Sequence, residues 1–140
     1  MEFDARKYPI RIEYSDWHIF PPEIKNKLII DFETGDIITK KHKTATSKVN
    51  IKNFEISEND IVALLELVSI QKLNEYELLA DSKKTDMGYR DGWHTDYKIV
   101  IKNDMAKTGF LSTVYNESPL EKVLKYLREH YPYIEMLRSL

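Results

Sequence analysis

A chain of 140 residues is long enough for one substantial hydrophobic core and too short for two, so a single domain is expected. With 42% hydrophobic and 31% charged residues it collapses inside a well-solvated exterior, and a formal net charge of -2 supplies no overall positive field to draw it onto nucleic acid or an anionic membrane. The absence of cysteine removes disulfides, thiolate nucleophiles and thiolate-ligated zinc together, which suits a reducing, cytoplasmic setting.

The opening residues Met1 to Lys7 carry early acids and do not read as a signal peptide. Ile10, Ile12 and Tyr14 alternate with Arg11 and Glu13, which predicts a half-buried strand over 9–14. Ser15 to Phe20 then leads into a loop at Pro21-Pro22, where two backbone donors are missing. Lys27 to Glu33 alternates again, and Thr34-Gly35 supplies a residue that tolerates positive φ before Asp36 to Thr39, predicting a hairpin. A polar stretch over 40–47 separates it from Val49 and Ile51, whose spacing predicts a fourth strand.

At Ser57 the period changes. Ile61, Leu64, Leu65 and Val68 recur at helical spacing, Ser57 with Asp60 forms a variant capping box, and Ile56 with Ile61 a hydrophobic staple. The apolar-rich stretch from Ile61 to Ile70 is broken by Glu66 and Ser69 and falls well short of the roughly 20 residues that span a bilayer. Past the polar, glycine-bearing region 77–96, Tyr97, Ile99 and Ile101 mark a strand, Asn103-Asp104 a turn, and Gly109 to Tyr115 an antiparallel return. Ser118-Pro119-Leu120-Glu121 opens a second amphipathic helix that should stop before Pro132. The expected fold is therefore α+β: a mostly antiparallel sheet of about six strands, order ββββαββα, with two amphipathic helices on one face.

The segment Met87 to Tyr97 concentrates aromatic, charged and glycine residues. Tyr89, Arg90, Asp91, Trp93, His94 and Tyr97 are the candidate partner-binding residues, because tyrosine, tryptophan and arginine combine large contact area with a polar tip. The plainer reading makes Asp91-Gly92 a turn, Trp93 its anchor on the core, and Tyr89 and Tyr97 covers for the sheet edge. Asp91, His94 and Asp96 can also be read as a metal-ligand set for a small metal-assisted hydrolase, although their spacing matches no helix-based metal motif. No catalytic residue, cofactor or metal is assigned. His18, His42 and His130 fall in different elements, and no phosphate-cradling loop accompanies them. Lys40, Lys41, His42, Lys43, Lys48 and Lys52 form the one basic run, which reads as a solvated hairpin edge before it reads as a phosphate contact.

The run from Gly88 to Ile101, followed by the helix opened at Ser118, resembles a pattern of small uncharacterised bacterial α+β proteins in which an aspartate-glycine turn and tryptophan precede a hairpin and a terminal helix. It covers the C-terminal third of the chain and brings no catalytic residues with it. In size and style the chain is similar to immunity proteins, which implies a cytoplasmic protein that neutralises a protein partner by binding it. Exposed sheet edges would also permit a homodimer.

Overall fold

A computed structural model describes residues 3–18, 26–42, 49–79, 93–110 and 118–134. The strands are β1 (Arg11–His18), β2 (Asn26–Asp31), β3 (Asp36–His42), β4 (Val49–Glu55), β5 (Trp93–Ile101) and β6 (Met105–Phe110). They form one antiparallel sheet in the order β4-β3-β2-β1-β5-β6. The helices are α1 (Glu58–Leu67), α2 (Ile70–Glu75) and α3 (Pro119–His130).

Alternation decides which face of the sheet is covered. Ile12 and Tyr14 of β1, Leu28 and Ile30 of β2, Ile37 of β3, and Tyr97 and Ile99 of β5 are all buried in one core. Leu64, Leu65 and Val68 around α1 and Leu120, Val123, Leu124 and Leu127 of α3 close it from the other side, so the helices cover one face as their apolar stripes require. Tyr14 is fully buried and donates its hydroxyl to the carbonyl of Leu120 at 2.7 Å, which ties the central strand to the start of α3.

The β2–β3 hairpin turns on two residues. Asp31 Oδ1 accepts the N–H groups of Glu33 and Thr34, each at 3.0 Å, and Gly35 sits at φ +80° with its N–H donated to the Asp31 carbonyl. A Cβ at Gly35 would meet Ile61 Cδ1 at 2.8 Å. Gly35→Ala is therefore expected to lose about 1–2 kcal/mol in urea unfolding, mostly from the left-handed backbone.

Several elements depart from their predicted bounds. β1 runs on to His18 instead of stopping near Tyr14, because both flanking strands continue its ladder past that point. β6 starts at Met105 instead of Gly109: a 3-10 turn over Lys102–Asp104, with Asn103 at φ 66°, closes the hairpin at once and pairs Met105 with Ile101. The remainder of that predicted strand, 111–115, lies outside the described residues. The first helical stretch ends at Val68, and Ser69 then caps the separate α2, accepting from Lys72 N at 3.3 Å.

The start of α1 is held by α3. Ser57 Oγ accepts from Asp60 N at 3.3 Å, as the capping pattern predicts, but Asp60 does not return a bond to the Ser57 N–H. Instead the Ser57 N–H is donated to the hydroxyl of Tyr131 at 3.2 Å. The Asp60 carboxylate accepts three hydroxyls: Ser57 Oγ at 2.7 Å, Tyr126 and Tyr131. The Tyr126 ring in turn stacks on His130 with centroids 3.9 Å apart.

Candidate functional site

The register of the central strand pair gathers residues that are far apart in sequence. β1 and β5 run antiparallel with Trp17 opposite His94 and His18 opposite Trp93. Both tryptophans of the chain and two of its four histidines thus reach one end of the sheet, with positions 17 and 94 on one face and positions 18 and 93 on the other. The chain enters or leaves the sheet at this same end at His18, Asn26, His42, Val49, Trp93 and Phe110.

Directly beneath lies a polar row inside the core. Asp16 is opposite Asn26 on one side and Thr95 on the other, and all three are buried. Thr95 Oγ1 donates to Asp16 Oδ1 at 2.6 Å, and Asn26 Oδ1 accepts the His42 N–H at 3.2 Å. Buried polar groups persist only when they are hydrogen-bonded, so the Asp16–Thr95 pair locks the register of β1 against β5 next to positions 93 and 94.

Of the residues singled out from sequence, Tyr89, Arg90 and Asp91 lie outside the described residues. Trp93 and His94 open β5, while Tyr97 turns into the core at 6% exposure. The Tyr97 hydroxyl donates to the Leu78 carbonyl at 3.2 Å, and burial raises its pKa above the usual phenol value. Tyr97 therefore supports the site from below. Of the proposed metal set, His94 and Asp96 are two residues apart on β5 and Asp91 lies outside the described residues. Among the described residues no group of three or more histidine, aspartate or glutamate side chains is arranged to hold a metal ion.

Trp17, His18, Asp16 and Thr95 were not legible as site residues. The one available signal is that Tyr14, Asp16 and His18 continue the alternation of β1; the pairing with β5 has no local trace. Of the basic run, Lys40, Lys41 and His42 lie on β3 and Lys52 on the adjacent β4, opposite Thr39, while Lys43 and Lys48 lie outside the described residues.

Away from this end, an open cleft of about 890 Å³ lies between the N-terminal segment and α2. Its walls include Arg6, Lys7, Tyr8, Ser69, Asn74 and Glu75. No helix among the described residues is long and apolar enough to cross a membrane. Comparison with protein-family models and with curated proteins found no match to this chain.

Proposed function

We propose that this chain is a non-catalytic protein-binding domain of the cytoplasm, an immunity or regulatory protein that neutralises a partner by occupying it, with recognition at the end of the sheet where β1 and β5 meet. The observation that carries this reading is the register that opposes Trp17 to His94 and His18 to Trp93. Tryptophan is among the side chains most enriched in binding hot spots, and the register brings two of them to one end of the sheet, one on each face, with Tyr89, Arg90 and Asp91 close by in sequence. The rigid strands beneath lower the entropic cost of presenting it.

The test is a binding measurement paired with a stability measurement. Trp93→Ala, Trp17→Ala and Arg90→Ala should each weaken the complex with a captured partner by about thirtyfold, or about 2 kcal/mol. The melting temperature should stay nearly that of the parent. If each variant loses stability in proportion to binding, the tryptophan end is only a structural closure and the reading fails.

A further inference from the structure

The sheet terminates on β4, and the alternation of hydrogen bonds fixes which of its groups face outward. Ile56 donates its N–H to the Gly35 carbonyl at 2.9 Å, which marks the hydrogen-bonded positions of the β3–β4 ladder. Stepping by two along the register, Phe54, Lys52 and Asn50 bond to Ile37, Thr39 and Lys41. The backbone N–H and C=O groups of Val49, Ile51, Asn53 and Glu55 consequently point away from β3. β4 is seven residues long, runs against β3 without a bulge and contains no proline, so of the usual devices against edge pairing the described residues show its charged side chains, Lys52 and Glu55. Ile51 and Val49 are 61% and 43% exposed.

We propose that β4 pairs edge to edge with the same strand of a second copy of this chain, antiparallel about a two-fold axis at Ile51. A two-fold edge must set outward groups against outward groups, which allows only registers that oppose odd-numbered positions to odd-numbered positions. Centring the pair on Lys52 sets two ammonium groups directly across from each other, which is unfavourable. Centring it on Asn53 sets Ile51 against a glutamate. Centring it on Ile51 sets that side chain against its own copy, Val49 against Asn53, and Asn50 against Lys52. No like charges are opposed, and both exposed aliphatic side chains come to the seam.

This edge stands three strands from β1 and four from β5, roughly 14 and 19 Å at about 4.8 Å per strand, so the two proposals rest on different elements and can fail separately. Sedimentation velocity on the full chain should show a dimer whose share rises with concentration. Ile51→Lys and Asn53→Pro should both sediment as monomers with unchanged far-ultraviolet circular dichroism, since a proline at 53 removes an outward N–H and leaves the ladder to β3 whole. Ile51→Cys introduces a sole thiol and should oxidise to a covalent dimer, because Cα atoms in a closely bonded pair lie about 5.5 Å apart, within disulfide reach. A parent chain that stays monomeric at every concentration overturns the proposal. So does a dimer that survives both substitutions, or one that Ile51→Cys fails to cross-link.

Discussion

Thr95→Val is expected to destabilise the fold by about 2–3 kcal/mol, although valine matches threonine in shape. The change deprives the fully buried Asp16 carboxyl of the hydroxyl that reaches it at 2.6 Å. Thr95→Ser keeps the donor and should recover most of the loss. Urea unfolding of the three proteins checks this: a valine variant as stable as the parent would show that the polar row contributes nothing. Because the row sets the register that presents Trp93 and His94, Thr95→Val should also weaken partner binding beyond its effect on the folded fraction.

Asp60→Ala should cost about 2–3 kcal/mol near neutral pH, since one carboxylate serves three hydroxyl donors and joins the start of α1 to the end of α3. The loss should depend on pH in a defined way. The hydroxyl of Tyr126, then those of Tyr131 and Ser57, hold the Asp60 pKa below its ordinary 3.8. A depressed carboxylate pKa contributes stability that is present above 3.8 and fades as pH falls through the lower folded value. At the alkaline end, the bond to Asp60 pushes the Tyr126 pKa from 10.0 up to about 12. That contribution is complete below pH 10 and is lost as pH rises toward 12. The stability gap between parent and Asp60→Ala should therefore be widest between about pH 5 and 10 and close on both sides, read from urea midpoints across the range. A gap that does not vary with pH would mean that Asp60 acts by packing alone.

Local chemistry in the sequence carried most of the fold. The alternation in β1, β2 and β3, the turn at Gly35, and the caps at Ser57 and Ser118 each appear where their residue types require. What failed locally failed for identifiable reasons. β6 began four residues early because Asn103, in the left-handed conformation, closes the turn at once and lets pairing resume at Met105, and the first helix broke at Ser69 because that serine caps a new helix instead of sitting within one. The candidate site was only half readable. Trp93 and His94 stand out by composition, but their neighbours Trp17 and His18 are joined to them by a pairing nearly eighty residues long in sequence, which no periodicity can reveal. Tyr97 looked like a contact residue, yet it sits on the same face as Ile99 and Thr95 and is buried with them.

The strand order has one more consequence. Every neighbour in the sheet is also the next strand in the chain, except at the seam between β1 and β5. The first four strands can zip together as successive hairpins and the last two as another, each closing only a short loop. The encounter of these two ribbons along β1 is the step that must bridge a long stretch of chain, so it is expected to be the slow event of folding. Pulse-labelled amide exchange in which the β2–β3 hairpin gains protection ahead of the β1–β5 ladder would trace that order.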